Sequence, residues 1–571
     1  MKVHPSERTL RTREGGEART PAAKDLGVLF GPRRLALTDP ALRAHFQASG
    51  PRTPKIVAPA RADLVVVPLT RLGAAPTDTA LFVVDACESG EPLPPSRGGA
   101  LRVGPGLGFG SPCDGWMLLA EARPLPEAGH VALVTQGGAL LVALLDGLGG
   151  AGVGISRFVD IGGGSDVDVV ACLAWLAADD ATRAIVVAVG VVSRAADLVA
   201  TVERAAALRK PVLALRIRAA ADADTAFAAD VEDAAMRQRG ALVFGDADDL
   251  VETARAFARL GARPPARIVV SASKPSLAWA ARAIAAVAGI DTAPSPGALV
   301  LQIPRDLPLV GARAHLAALR RAADGLRQLE RGPRRPPAAP RGARERALDF
   351  LTRAEPTLTE RETKDLLAIY GIEAPPEEIV SSPSSAATAA RRVGFPVSLR
   401  VVTPDIRDLA GAGAIASGVT NGAQARGAYV RVLVAARRAA PSARLEGVVI
   451  AKTPPTGVRL RVATRLHPSL GPAITLGLAG EAGLAQLDQA VAACPLSLDE
   501  AAALVRDAPA SRLLLGRKAA PAPDARALVR TLAAVSILAW DLRDAIRELD
   551  LTLVVRPHDE GCVVVEAAAT R

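Results

Sequence analysis

The chain is poor in aromatic residues and cysteine, and it has no long uninterrupted hydrophobic run. Only 3% of its 571 residues are aromatic, so a core must be built from closely packed Ala, Val and Leu. The five cysteines are far apart and show no metal-ligand spacing, which is typical of a reducing cytosol. No apolar run reaches about 18 residues, so no membrane span is expected, and the polar residues 1–20 do not resemble a signal peptide. We therefore expect a cytoplasmic protein.

The charge is strongly positive but is not arranged as a nucleic-acid interface. The formal net charge is +10, and the basic runs are Lys2–Arg19 and Arg331–Arg346. No compact basic patch is interleaved with aromatic residues, so these runs are interpreted as solvated charge and no specific nucleic-acid binding is expected. The alternative is an interaction protein whose basic tails recruit anionic partners.

A regular alternation of strand and helix patterns covers residues 128–262, which predicts a parallel, doubly wound sheet of flavodoxin-like type. The predicted elements include a strand over Ala184–Val191 and a helix that starts only at Val231. The glycine-dense segment Gly104–Gly110 is interpreted as a loop.

Two glycine-rich joints follow apolar strands and open helices within this block. The first contains Thr135, Gln136, Gly137 and Gly138, and the second contains Gly162, Gly163 and Gly164. Backbone N–H groups at such joints favour an anion, so these residues are candidates for binding CoA or another phosphate. The alternative is a tight strand–helix turn that requires glycine for its backbone alone. Asp166 and Asp168 are interpreted as helix-start acids that complement the helix dipole.

In residue spacing and residue identity this block resembles the CoA-ligase domain of the NDP-forming acyl-CoA synthetases, which are relatives of succinyl-CoA synthetase. Residues 358–396, 399–406, 445–450 and 467–472 resemble parts of the ATP-grasp domain of the same family. The resemblance implies a multidomain α/β fold with a degenerate Rossmann-like CoA-binding region, flavodoxin-like CoA-ligase domains and a C-terminal ATP-grasp domain. The expected segments are a disordered tail (1–25), a degenerate CoA-binding-like domain (26–127), a CoA-ligase domain (128–262), a shortened second CoA-ligase-like domain (263–330), a Pro/Arg linker (331–346) and an ATP-grasp-like domain (347–571).

The resemblance implies a reaction that joins a carboxylic acid to CoA, with a phosphoryl group carried by an enzyme histidine. In the family that histidine follows the strand that matches Pro211–Ile217, but here residues 218–227 contain none, and the chain has no histidine between His130 and His315. The glutamate that orients it in the family aligns near Gly190. Loss of both groups indicates that the phosphohistidine relay is absent.

The other family sites are also altered. Where the resemblance implies a glycine-rich CoA loop, Thr38 or Asp39 is predicted to cap a helix that begins at Pro40. The nucleotide-binding lysine aligns with Arg400, which keeps the positive charge but not the ammonium geometry. Of the closing magnesium ligands only Asp550 remains, which makes a weak metal site.

We therefore expect a divergent acyl-CoA synthetase-like protein without the phosphohistidine relay. Its expected role is that of a non-catalytic protein that binds CoA or a nucleotide, or that of a regulatory protein. The cofactors implied are CoA and ATP with Mg²⁺, and the partners implied are a second copy of the chain or an active paralogue. The alternative is an active ATP-dependent acid–CoA ligase with a shifted site, for which Asp222 or Asp224 is the nearby nucleophile.

Overall fold

The computed structural model describes residues 23–68, 80–84, 102–162, 166–190, 192, 194–218, 222–260, 268–272, 299–303, 309–331, 335–403, 405–406, 408–453, 457–479, 489–514, 522–557 and 561–571. The chain divides into two compact units. The first comprises Met1–Ala220 and Arg239–Gly332, and the second comprises Ala221–Gln238 and Pro333–Arg571. The second unit therefore takes one short segment from the middle of the first.

A parallel five-stranded sheet begins the first unit, with the order β3-β1-β4-β5-β6. Asp39 caps the second helix through the N–H of Ala41, with Pro40 at the first helical position, which confirms the predicted cap. The elements are α1 (Ala23–Phe30), β1 (Arg34–Leu37), α2 (Pro40–Ala44), β2 (Phe46–Ala48), β3 (Lys55–Ile56), β4 (Leu64–Pro68), β5 (Ala80–Val84) and β6 (Arg102–Gly106).

An eight-stranded sheet follows, with the order β13-β12-β11-β9-β10-β7-β8-β2. Its strands β9 to β13 are parallel and have the doubly wound order that the sequence predicted, while β7, β8 and β2 extend one side in antiparallel fashion. The elements are β7 (Gly108–Ser111), β8 (Trp116–Leu119), β9 (Ala128–Thr135), α3 (Gly138–Gly150), β10 (Ile155–Asp160), α4 (Val169–Ala178), β11 (Ala184–Val189), α5 (Ala195–Ala207), β12 (Val212–Arg216), α6 (Ala223–Gln238), β13 (Leu242–Phe244) and α7 (Ala247–Leu260).

Three local predictions in this region were wrong. The segment Gly104–Gly110 forms most of the buried strands β6 and β7 rather than a loop. Glycine is needed in these strands because neighbouring backbone lies so close: a Cβ at Gly106 would be 2.0 Å from the Asp160 carbonyl oxygen. Helix α6 begins at Ala223, not Val231, because Asp222 Oδ1 accepts the Thr225 N–H at 2.8 Å and caps an Ala-rich turn. Strand β11 ends at Val189, two residues before the end of the predicted strand Ala184–Val191.

The remaining described part of the first unit contains two parallel strands and a long helix. These are β14 (Ile268–Ala272), β15 (Leu299–Ile303) and α8 (Leu309–Arg331). The sequence pattern also predicts a helix over residues 276–288, and these lie outside the described residues.

The second unit contains two antiparallel sheets, one of four strands in the order β17-β20-β18-β19 and one of six in the order β16-β25-β24-β21-β22-β23. Thr359 and Glu362 form a capping box at the start of the helix Glu360–Ile369. The elements are α9 (Ala343–Thr352), β16 (Thr357–Leu358), α10 (Glu360–Ile369), β17 (Glu377–Val380), α11 (Pro383–Val393), β18 (Val397–Val402), β19 (Ile415–Val419), α12 (Gly422–Ala439), β20 (Gly447–Lys452), β21 (Val458–His467), β22 (Gly471–Leu478), β23 (Ala490–Ala493), α13 (Leu498–Asp507), α14 (Ser511–Leu514), α15 (Ala525–Asp541), β24 (Glu548–Val555) and β25 (Cys562–Thr570).

The cores consist mainly of aliphatic residues, as the composition requires. In the second unit the inner face of the six-stranded sheet packs against α15 through side chains such as Leu460, Ile474, Leu532 and Leu551, each fully buried. Alternate residues of β21 and β24 point to the other face, and those residues include polar and charged side chains that bear on function. Among the described residues, no helix has the length and hydropathy that crossing a bilayer requires.

Candidate functional site

The two glycine joints lie side by side at the carboxyl edge of the eight-stranded sheet. Strands β9 and β10 are parallel neighbours, and Thr135 is paired with Asp160 at their ends. Gly138 opens α3, and Gly162 follows β10 by two residues. The predicted residues Gly163 and Gly164 lie outside the described residues. The carboxyl edge of a doubly wound sheet is where such folds bind ligands, so the joints are placed correctly for a ligand.

An internal carboxylate already occupies the hydrogen-bonding groups of these joints. Asp160 Oδ1 accepts the Gly137 N–H at 2.8 Å, the Gly162 N–H at 3.3 Å and the Thr135 hydroxyl at 3.2 Å. Its Oδ2 accepts the Leu107 N–H at 2.8 Å. Asp160 is only 1% exposed. We name this arrangement, Asp160 with its four donors, the aspartate cradle.

The aspartate cradle is built to receive an anion, and the anion is part of the chain. Burial raises the pKa of the Asp160 carboxyl, while the three backbone N–H groups and the Thr135 hydroxyl act in the opposite direction. At Gly162, φ is +60° and a Cβ would lie 1.7 Å from the Pro105 carbonyl oxygen. Glycine is therefore required there by the backbone alone. Sequence reasoning missed Asp160, although a carboxylate at the end of an apolar strand was a visible signal.

The neighbouring acids have structural partners. Asp168 accepts the Ala171 N–H at 2.8 Å as the cap of α4, and its other oxygen lies 2.9 Å from the Arg194 guanidinium. This confirms the predicted helix-start role of Asp168. Asp166 accepts the Arg102 N–H at 3.2 Å, so it does not cap the helix.

The segment that follows β12 ends in helix α6, which belongs to the second unit. Asp224 Oδ1 lies 2.8 Å from the Arg465 guanidinium, which also stacks on the ring of Phe227 at 4.5 Å from its centroid. At the other end of α6, the Gln238 amide donates to the Ala493 carbonyl at 3.0 Å and accepts the Ala493 N–H at 2.8 Å. Gln238 thus satisfies both outward backbone groups of Ala493 on the edge strand β23.

Arg400 is at the centre of a buried charge cluster in the second unit. Its guanidinium lies 2.6 Å from Glu360 and 3.1 Å from Glu377, and it donates to the Val565 carbonyl at 3.0 Å. Lys364 lies 2.8 Å from each of the same two carboxylates. Burial raises the pKa of Glu360, although both cations oppose that change. Two cations balance two carboxylates, which favours a structural role for Arg400.

Asp550 faces outward from the middle of β24 and is bound by an arginine. The Arg461 guanidinium donates to its two oxygens, from Nε at 2.9 Å and from Nη2 at 2.6 Å. This bidentate pair occupies both oxygens that a divalent cation would need. No cluster of three or more His, Cys, Asp or Glu side chains suited to a metal occurs in the described part of the chain. The residues present do not fit Mg²⁺ at Asp550.

Arg461 is one of three arginines on the outer face of β21. Arg459 lies 3.3 Å from Glu566, and Arg465 pairs with Asp224 as described above. Each of these arginines therefore has a carboxylate partner within the second unit. The sequence pointed to Asp550 but not to the arginines that neutralise this face.

Comparison with known proteins matches both parts of the chain to domain families. Residues 128–257 match the succinyl-CoA ligase like flavodoxin domain, and residues 349–570 match the ATP-grasp domain. The chain is 28% identical over 210 residues to the beta subunit of acetate–CoA ligase (ADP-forming) I of Pyrococcus furiosus, covering 37% of this chain and 90% of that subunit. It is 26% identical over 212 residues to 4-hydroxybutyrate–CoA ligase (ADP-forming) of Nitrosopumilus maritimus, covering 37% of this chain and 30% of that enzyme.

Among solved structures, one similar to the chain is dinucleotide forming acetyl-coenzyme A synthetase 1 of Ca. Korarchaeum cryptofilum, in complex with coenzyme A, Ca-AMPCP and HgCl+. The identity is 25% and the TM-score 0.37, and the match covers 40% of this chain and 99% of that one.

A flavodoxin-like CoA-ligase domain followed by an ATP-grasp domain defines an acyl-CoA synthetase-like protein. The chain is therefore similar to the NDP-forming acyl-CoA synthetases in its two matched domains, residues 128–257 and 349–570.

Proposed function

We propose that this protein is a member of the family that binds a nucleotide or CoA without passing a phosphoryl group through a histidine. It would act as a regulatory partner, either as a homo-oligomer or with an active paralogue. The observation that carries this proposal is the aspartate cradle, because Asp160 fills the donor groups that a transferred phosphoryl group would need.

Two further observations support the absence of turnover. No histidine occurs between His130 and His315, so the segment before α6 offers no imidazole to phosphorylate. At the other site, Arg461 holds the one carboxylate that matches a magnesium ligand. At the first site an internal carboxylate takes the place of an anion. At the second, an internal guanidinium takes the place of a metal ion. Both changes oppose phosphoryl transfer.

Nucleotide binding is supported by the architecture that remains. The register of β18 and β20 pairs Arg400 with Val449, so the two side chains share one face of the four-stranded sheet. That face reaches β25 of the other sheet through the Arg400–Val565 hydrogen bond. Val402, Val449 and Ala451 form a small buried cluster on the same face. Because these side chains are already buried, the support for nucleotide binding is the match of residues 349–570 to the ATP-grasp domain rather than an open apolar surface.

Labelling with ATP tests the loss of the relay. The protein is incubated with γ-labelled ATP, Mg²⁺, CoA and a panel of carboxylates. We expect neither an acid-labile phosphoprotein nor any acyl-CoA. Either product would refute the proposal. A product that disappears on Ala substitution of Asp222 and Asp224 would establish the alternative of an active ligase with an aspartate relay.

Calorimetry tests the binding half of the proposal. ATP and CoA are titrated separately into the full-length protein. Binding of at least one is expected, while binding of neither would leave a scaffold and refute the ligand-binding function. The Asp160→Asn variant serves as a matched control, since it keeps the cradle filled and leaves the second unit unchanged.

A further inference from the structure

We propose that a cavity at the amino edge of the eight-stranded sheet binds a small organic anion with an apolar body, such as a medium-chain carboxylate. The cavity lies at the starts of β9, β11 and β12, which is the edge opposite the aspartate cradle. Its volume of about 510 Å³ is in the range of small-molecule pockets.

The floor of the cavity is apolar. It is lined by Val131, Ala184, Phe257 and Leu326, which are 3–6% exposed. At the rim, Leu208 is 52% exposed and extends the apolar lining to the mouth of the cavity. An alkyl chain or ring laid against this surface would remove apolar area from water.

The rim carries more positive than negative side chains. Lys210, Arg183 and Arg209 line it together with Asp180 and Glu127. Lys210 is used within the fold, because its ammonium group donates to the carbonyls of Leu176 at 3.2 Å and Asp179 at 2.6 Å, and it interacts electrostatically with Asp180.

Two guanidinium groups remain at the rim. Within the described residues, the side chains of Arg183 and Arg209 have neither a hydrogen-bond partner nor an ion-pair partner. Both residues are exposed. Arginine prefers planar bidentate contact with a carboxylate or phosphate, so two available guanidinium groups beside an apolar floor favour an amphipathic anion.

Arg209 occupies a backbone position that normally belongs to glycine. It follows the last turn of α5, its N–H donates to the Ala206 carbonyl at 2.9 Å, and the Lys210 N–H donates to the Ala205 carbonyl at 2.9 Å. This is the Schellman arrangement, in which the residue at the Arg209 position is usually glycine. Its φ is +57°, in the left-handed region that strains an arginine. An arginine kept at a strained position indicates a use for its side chain.

The experiment compares three eight-carbon probes by calorimetry with the full-length protein: octanoate, 1-octanol and octylamine. We expect octanoate to bind, 1-octanol to bind at least about tenfold more weakly, and octylamine not to bind. Failure of octanoate to bind, or equal affinity for octanoate and 1-octanol, would overturn the proposal.

The variants separate binding from folding. Arg209→Gly removes a guanidinium and relieves the strained backbone, so its Tm should equal or exceed that of the parent. Combined with Arg183→Gln, it should weaken octanoate binding at least about a hundredfold. Arg204→Gln is the matched control, because Arg204 is exposed on α5 but does not line the cavity. Unchanged octanoate affinity in the double variant, or an equal loss in the control, would contradict the assignment.

Discussion

Removing Asp160 should turn the aspartate cradle into a site for an external anion. In Asp160→Ala, the N–H groups of Leu107, Gly137 and Gly162 lose their shared acceptor. An orphaned buried donor costs about 1–3 kcal/mol. The Leu107 bond is fully buried and the two glycine bonds are half-buried, so water recovers part of the loss, and we expect a destabilisation of about 3 kcal/mol.

Inorganic phosphate should restore much of that stability, because it presents oxygens to the same donors. At a phosphate concentration of about a hundred times Kd, the gain is about 2.7 kcal/mol. The assay is thermal unfolding of the full-length protein in phosphate and in sodium chloride of equal ionic strength. For a unit of roughly 300 residues, a restored 2.7 kcal/mol corresponds to roughly 4 °C in the Tm.

The matched control is Asp160→Asn. Its amide oxygen still accepts from the glycine joints, but its NH₂ group faces the Leu107 N–H, so about 1–3 kcal/mol is lost without an open cradle. Phosphate should therefore rescue the Ala variant and neither the Asn variant nor the parent. Equal phosphate stabilisation of the parent and Asp160→Ala would show that the carboxylate does not occupy the anion position.

Three other predictions concern single side chains. Arg400→Met leaves two buried carboxylates with one cation, so it should lower the free energy of unfolding of the second unit by about 3–5 kcal/mol, measured in urea. Arg400→Lys keeps the charge and should cost less. Equal losses in the two variants would argue against the charge cluster. Burial lowers the pKa of His467 from its ordinary value of 6.5, so its contribution to stability is present above pH 6.5 and is lost as the pH falls below it. The difference in unfolding free energy between the parent and His467→Gln should therefore shrink from pH 7 to pH 5, and a constant difference would be the contrary result. Gly162→Ala should lower the free energy of unfolding by about 2–4 kcal/mol because of the Pro105 contact. Gly149 has open space around it in a helix, so Gly149→Ala should raise the free energy of unfolding by about 0.5–1 kcal/mol. Similar Tm values for these two variants would contradict the packing argument.

Much of the fold follows from periodicity, and the missing parts have physical reasons. The alternation over residues 128–262 predicted the parallel sheet correctly because the strands β10, β11 and β12 are buried on both faces and β11 and β12 read as apolar runs. The extension by β7 was missed because its glycines look like loop residues. They are required by the close approach of the Leu118 backbone at Gly108 and of the Met117 and Phe158 side chains at Gly110. Such a requirement arises from tertiary contact and has no local signal.

The position of the candidate site was predictable from the sequence, but the side chains that occupy its hydrogen-bond donors and acceptors were not. The joints at Gly137 and Gly162 were found from the strand–glycine–helix pattern. That Asp160 accepts hydrogen bonds from both depends on which strand ends are neighbours and on side-chain direction. The same holds for Asp550, whose partner Arg461 is 89 residues away in the sequence. Sequence patterns locate donors and acceptors, and only the three-dimensional arrangement shows whether they satisfy one another.

The position of α6 affects how this protein could be divided. The second unit includes Ala221–Gln238, which lies more than 90 residues before the rest of that unit begins at Pro333. A fragment expressed from Pro333 onward would lack Gln238, and the outward N–H and C=O of Ala493 would be left on an open sheet edge. Unprotected edges pair with other chains, so this fragment should aggregate unless α6 is supplied as a separate peptide or fused to it. A single cut in the linker would therefore separate the rest of the second unit from a helix that covers one edge of its six-stranded sheet.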